Sequence, residues 1–276
     1  MNKYDLSKFY SLLKVKFDKS NAEEIMVFLL SEFAKVMKLR DEIAIISIGN
    51  ELASYQRVAG RVEESYKIYD LVGSLVKKHF GDKSQEYASY LLNLADVDIV
   101  HKKYGLAVEK LGEALAILEK FDDVDYLKAS VYNNRSSAYR QLGEFALAES
   151  DIIEAISLVK NDSKIAISKI NLSQIQNMQK KYSQATENVS EAIDYFLKNN
   201  PNDIHLAHAY ASYGDIYYQL GEYDRSIKEF QKAREIIKEK IGEGPSLDMI
   251  DRNITLAQKG NVLWREWNYQ KNILMT

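Results

Sequence analysis

The chain has 276 residues and a formal net charge of −3, with no cysteine, two prolines, 12 glycines and 19 tyrosines. Lack of cysteine excludes a disulfide framework, a thiol nucleophile, Cys-ligated zinc and an iron–sulfur cluster, and interspersed charges of both signs disfavour a general nucleic-acid binder. Scarce Pro and Gly argue against a turn-rich all-β fold, while the length alone suggests one to two domains.

No apolar run approaches the roughly 18 residues of a membrane span. Met1-Asn2-Lys3-Tyr4-Asp5 leads into no signal-peptide core, so a cytoplasmic protein is expected. Tyr4–Val15 and Asn21–Lys38 read as the first two helices. Between them, Ser20-Asn21-Ala22-Glu23 fits a capping box, Ser20 accepting from the Glu23 amide and Glu23 reaching back. Ile25, Phe28, Leu29, Phe33 and Val36 recur at helical spacing along the second helix. Asp41 then starts a helix running through Ile43, Ile46 and Leu52 toward a turn at Gly60. The opening pair is a capping hairpin or a degenerate repeat, the cap being the preferred reading.

From Gly60 onward one pattern recurs. A small residue is followed seven positions later by a turn Gly or Lys, and two further on by an aromatic or aliphatic residue. A small residue comes three after that, and another seven later. The copies are Ala53, Gly60, Val62, Ser65 and Val72, and then Ala95, Lys102, Tyr104, Ala107 and Ala114. Next come Ser136, Gly143, Phe145, Ala148 and Ala155, followed by Ser173, Lys180, Tyr182, Ala185 and Ala192. The last is Gly214, Gly221, Tyr223, Ser226 and Ala233. The turns at 60, 102, 143, 180 and 221 are 37 to 42 residues apart, and apolar spacing within each unit describes two amphipathic helices. One helical hairpin cannot bury its apolar stripe; a stack of them can. Small residues let the helices approach, and the bulky residue after the turn fills the wedge.

Toward the C-terminus, Pro245 suits a first helical position, whose amide lacks a partner anyway. Leu247 to about Val262 reads as a sixth first helix, with Leu256 and Ala257 at its Leu-Ala positions. Trp264, Trp267 and Tyr269 then either cap the last stripe or form an exposed aromatic patch.

The repeat resembles the tetratricopeptide family, particularly its longer, kinesin-light-chain-like variant. Leu92-Asn93-Leu94-Ala95, Asn133-Asn134-Arg135-Ser136 and Asn171-Leu172-Ser173 match its Asn-Leu-Ala element. Phe80-Gly81-Asp82-Lys83 and Ile241-Gly242-Glu243-Gly244-Pro245 match its linkers. Lys102 and Lys180 depart from it by replacing the usual turn Gly, and Val62 in the first copy is a further departure. The resemblance implies an all-α, right-handed superhelical solenoid of antiparallel helix hairpins. Residues 1–40 would form the N-terminal cap or degenerate repeat, 41–245 five hairpins, and 246–276 a capping helix and tail.

Chemistry is sparse. The sequence holds no phosphate-binding glycine loop, zincin motif or nucleophile elbow. His205 and His208 stand at i and i+3 near Asp203, which caps a helix start, and a metal there is not expected. Acidic pairs such as Glu63-Glu64 and Asp122-Asp123 suit helix starts and loops. No catalytic residue, cofactor or metal is assigned, and the chain is read as a non-enzyme.

In the resembled family the first helices line a groove for extended peptides. Carried onto this chain, the groove positions are Asn50, Glu51, Ser54 and Arg57, then Leu92, Asn93, Asp96 and Ile99. Asn133, Asn134, Ser137 and Arg140 follow, then Ile170, Asn171, Gln174 and Asn177, and finally His208, Asp215 and Tyr218. Asn93, Asn134 and Asn171 occupy one register position. Their amides either pair with a peptide backbone or hydrogen-bond between neighbouring helices. The carboxylate clamp of chaperone-binding members is not expected, since Asn50, Ser130 and Asn134 stand where basic residues would be. Arg57 and Arg140 remain for an acidic ligand side chain, and Leu92, Ile99, Ile170 and Tyr218 for apolar contact. The expected partner is a protein or extended peptide, with no nucleic acid and the oligomeric state open. The alternative is a peptide-sensing regulator resembling the repeat domains of bacterial quorum-sensing proteins; an enzyme with an unrecognised site is a weak third.

Overall fold

The computed structural model describes the backbone of residues 3–274 and the side chains of residues 3–263. Every element among the described residues is helical. The chain forms two compact units, the first ending at Leu142 and the second beginning at Gly143.

The first unit contains α1 (Leu6–Lys19), α2 (Ala22–Leu39), α3 (Glu42–Val58), α4 (Val62–Phe80), α5 (Gln85–Val100), α6 (Tyr104–Leu118) and α7 (Asp125–Leu142). Each helix packs on the next, and α3 also meets α5 while α5 meets α7. The second unit contains α8 (Phe145–Leu158), α9 (Asp162–Met178), α10 (Tyr182–Asn199), α11 (Ile204–Gln219), α12 (Tyr223–Lys240) and α13 (Pro245–Leu274). Its helices also pack in succession, with α9 meeting α11. First helices therefore touch first helices one hairpin away, which is the packing rule of a stacked helix-hairpin repeat.

Burial follows the sequence register. All fifteen small or short apolar positions of the five copies are buried, from Ala53, Ala95, Ser136, Ser173 and Gly214 through to Ala233. A Cβ added at Gly214 would lie 2.8 Å from the Phe230 ring, and one at Gly49 2.7 Å from a Val72 methyl. Close helix approach is thus the reason for these residues. The core is a string of clusters, one around Leu29 and Leu52, one around Tyr69 and Val97, and one around Leu111 and Val131 in the first unit. In the second unit, Val189 and Phe196 centre one cluster, and Phe230 and Ile237 another.

Four of the five turns share one backbone solution. At Gly60 the amide donates to the Arg57 carbonyl at 3.1 Å, and Arg61 donates to the Gln56 carbonyl at 2.8 Å. This Schellman pair satisfies two helix-end carbonyls and requires a left-handed residue. The same pair recurs at Lys102, Lys180 and Gly221. Lys102 and Lys180 take φ of 60° and 61°, beside 74° at Gly60 and 75° at Gly221. The lysines therefore occupy the turn position itself.

Two details differ from the sequence expectation, the α2 cap and the end of the last helix. Asn21, not Ser20, caps α2: its Oδ1 accepts from the Glu24 amide at 2.9 Å, and its Nδ2 reaches the Glu24 carboxylate at 3.3 Å. Ser20 instead ends α1, its amide donating to the Lys16 carbonyl. The reciprocal cap exists one residue downstream because Asn-x-x-Glu serves as well as Ser-x-x-Glu. The last helix does not stop near Val262, since α13 continues to Leu274. The side chains of Trp264, Trp267 and Tyr269 lie outside the described residues. Asp41 does cap α3, accepting from the Ala44 amide at 3.2 Å, and it also accepts from the Tyr4 amide at 2.9 Å.

Candidate functional site

The first helices carry the candidate residues, and the structure divides these into structural and available groups. In the first unit Asn134 on α7 donates through Nδ2 to Asp96 on α5. Arg57 on α3 approaches the same carboxylate at 3.6 Å. Burial pushes the Asp96 carboxyl above its ordinary range, while Arg57 and Asn134 pull it back. In the second unit Gln174 on α9 donates through Nε2 to Ser212 Oγ on α11 at 2.9 Å. Both hydrogen bonds span 38 residues and join the same two register positions of successive hairpins. This row is therefore used between helices at Asn134, and Arg57 already has an internal counter-ion.

Other candidates belong to the core. Ile170 is 2% exposed within the α9–α11 cluster, and Leu92 is 9% exposed within the α5–α7 cluster. Neither offers an apolar wall to a ligand. Both side chains pack into these buried clusters, and that burial outweighs the family register. Ile99 packs partly against the same cluster as Leu92. Asn133 donates back to the Ala129 carbonyl at 3.0 Å within its own helix. Asn50 and Asn177 each hold an Oδ1 that is shielded from solvent and accepts no hydrogen bond from a described residue. Ser54 and Ser137 are half-buried; Asn93 is half-buried and Asn171 exposed.

A second polar row, absent from the sequence reading, lies four residues before the turns. Asp98, with a side chain only 2% exposed, accepts from Tyr66 Oη at 2.7 Å and from Lys110 Nζ at 2.7 Å. Its equivalent, Gln176, accepts from Asn188 at 3.0 Å and donates to Glu149 at 3.2 Å. Lys103 stands 4.6 Å over the Tyr66 ring, and Lys181 is 2.6 Å from Glu149. The Asp98–Lys110 and Gln176–Asn188 pairs are each 12 residues apart, a spacing legible in sequence once the hairpin register is known. Each node stitches two hairpins.

Three of the charged groove candidates, Glu51, Arg140 and Asp215, have no hydrogen bond or ion pair to a described residue. Burial raises the Glu51 carboxyl and lowers the Arg140 guanidinium. Asp215 is pushed up to about 6 by burial, although its side chain stays open to solvent on one side. It lines a recess of about 160 Å³ with Tyr218, Gln219, Phe230, Asn253 and Leu256. The His208 imidazole is lowered by partial desolvation in its packed surroundings and by His205. His205 Nδ1 is 2.7 Å from Asp203, whose carboxylate also caps α11. Among the described residues no group of three or more His, Asp and Glu gathers for a metal ion. No helix among them is long and apolar enough to cross a membrane.

A tetratricopeptide-repeat family model matches residues 129–162 and 207–239. No curated protein matches the sequence. Among solved structures, BtubC (BKLC) from P. vanneervenii superposes with a TM-score of 0.66 at 17% identity, covering 82% of this chain and 95% of that one. Nearly identical TPR-like repeats from Podosopora anserina, assigned to a kinesin light chain, give 0.59 at 15%, covering 71% and 96%. Aspartyl phosphate phosphatase F from Bacillus subtilis gives 0.64 at 15%, covering 96% and 70%. The fold is a tetratricopeptide-like helix-hairpin repeat.

Proposed function

We propose that this protein is a binding scaffold that receives a protein or extended peptide along its first-helix faces, α3, α5 and α7 in one unit and α9 and α11 in the other. The observation that carries this reading is the set of unpaired charges on the first-helix faces: Glu51 and Arg140 are half-buried, and Asp215 opens into a recess. Desolvating a charge without a partner costs stability, and such groups concentrate where a ligand supplies the missing partner. Asn93 and Asn171 add free amides in the same register as Glu51. The roughly 41-residue spacing and the likeness to kinesin-light-chain repeats support the longer repeat variant, with residues 1–40 and 246–276 capping a five-hairpin body. The sequence carries no catalytic motif, and the proposal includes no reaction.

Selection of a random peptide library on the full chain tests the reading. Enriched peptides should lose at least tenfold in affinity against Glu51→Ala combined with Arg140→Ala, with circular dichroism unchanged. Failure to enrich any peptide over a scrambled control, or equal affinity for the folded variant, overturns it.

A further inference from the structure

We propose that the recess between α11, α12 and α13 receives the cationic side chain of a lysine or arginine in the bound segment, with Asp215 as its counter-ion. The inference rests on the peptide-binding reading and names the chemistry of one subsite within it. Asp215 is an anion without a described partner, set in a recess of about 160 Å³. Three basic side chains of α12 are committed elsewhere. Arg225 pairs with Glu222 at 2.8 Å and lies 5.4 Å from the Tyr217 ring centroid. Lys232 pairs with Glu229 at 2.9 Å and faces Tyr210, while Arg234 holds Asp251 at 2.6 Å. These three α12 cations are held by other carboxylates, and none of them pairs with Asp215.

The walls suit a long cationic side chain. Leu256, which is exposed, offers apolar surface for a methylene stem. Tyr218 offers a ring held edge-on against Tyr223, with centroids 5.5 Å apart at 68°, so its face is fixed rather than free to turn away. Gln219 and Asn253 bring amide oxygens that can accept the N–H groups the carboxylate leaves over. A carboxylate binds a guanidinium through two parallel hydrogen bonds, which adds geometric specificity to the charge pairing. An acidic ligand side chain would meet repulsion here, and an apolar one would leave the carboxylate desolvated without a partner. Among the residues lining the recess only Asp215 and Tyr218 titrate. The carboxylate binds a cation in its ionised form, so affinity should fall as pH drops through about 6.

The test uses the full chain with ¹³C-labelled aspartate. Millimolar n-butylguanidinium should move the Asp215 carboxyl resonance at pH 7.5, more weakly at pH 5. The neutral n-butylurea should leave it in place. In the Asp215→Asn protein, ring resonances of Tyr218 should no longer respond to n-butylguanidinium. An equal response to n-butylurea, or a Tyr218 response that survives Asp215→Asn, overturns the proposal. Peptides selected on the protein provide the second arm. Replacing one Lys or Arg by norleucine should weaken binding at least tenfold to wild type and less than twofold to Asp215→Asn. Peptides that bind with no basic position coupled to Asp215 overturn the subsite and leave the scaffold reading standing. A library that enriches no peptide overturns the scaffold reading, and the side-chain occupant with it.

Discussion

At the scale of single residues the turns isolate one backbone cost. Lys102 and Lys180 sit at φ near 60° with the Schellman hydrogen bonds intact. A non-glycine residue in this region carries about 1–2 kcal/mol of steric strain, and glycine would return part of that gain through its larger unfolded-state entropy. Lys180→Gly should therefore stabilise the protein by about 0.5–1 kcal/mol, read as a higher urea midpoint at unchanged slope. Lys102→Gly should act alike, and Gly143→Ala, at φ 81°, should shift the midpoint the other way. A midpoint lowered by either lysine change would mean that the side chain makes a contact worth more than the strain. These lysines also account for a limit of the sequence reading. The turn positions were legible from spacing even without glycine, because the periodic small residues on either side fix where the helix must end.

At the scale of the helix pair, shape sets the tolerance. Gly214 on α11 faces Phe230 on α12, which is 1% exposed and cannot retreat into solvent. Alanine would gain up to about 1 kcal/mol of helix propensity, but its Cβ would sit 2.8 Å from the ring. Overpacking of this kind costs about 1–3 kcal/mol. Gly214→Ala should thus destabilise the protein by about 1 kcal/mol net, while Gly214→Ala with Phe230→Leu should recover much of the loss. Thermal unfolding of the two variants decides it, and a stabilised single variant would show that the helices can separate freely. Element starts were readable wherever a side chain closes a cap, as at Asp41 and Asp203. The shift from Ser20 to Asn21 arises because both residue types accept an amide equally well, so spacing alone does not choose between them. The groove register was less legible. It assigned Leu92 and Ile170 to the ligand side, but a helix wedged between two neighbours buries more than one stripe, and their apolar surface is worth more inside the core.

On the scale of the whole chain, stability is distributed along a string of local clusters instead of one common core, and that distribution makes protection uneven. The sequence period disclosed this architecture because each hairpin repeats the same burial problem. It did not disclose which polar groups remain unpaired, since pairing between hairpins depends on side-chain reach, as Asn134 with Asp96 and Asp98 with Lys110 illustrate. The unevenness is sharpest in the first unit. Helix α1 buries only Phe9 and Leu13, and it leaves Tyr10, Leu12, Val15 and Phe17 exposed. Helix α5 buries seven residues from Ala88 to Asp98 and packs on helices of both adjoining hairpins. Tyr4, bonded to Asp41 and Glu32, is the polar tie just before α1. Opening α1 therefore breaks few apolar contacts and its amides should exchange by local unfolding, whereas α5 exchanges only when neighbouring hairpins open too. Hydrogen–deuterium exchange on the intact protein should give α1 protection factors at least a hundredfold below those of α5, about 3 kcal/mol in opening free energy. Tyr4→Phe should lower α1 protection further and leave α5 unchanged. Equal protection of the two helices would contradict this, because it would require α1 to open only together with the hairpins beyond it.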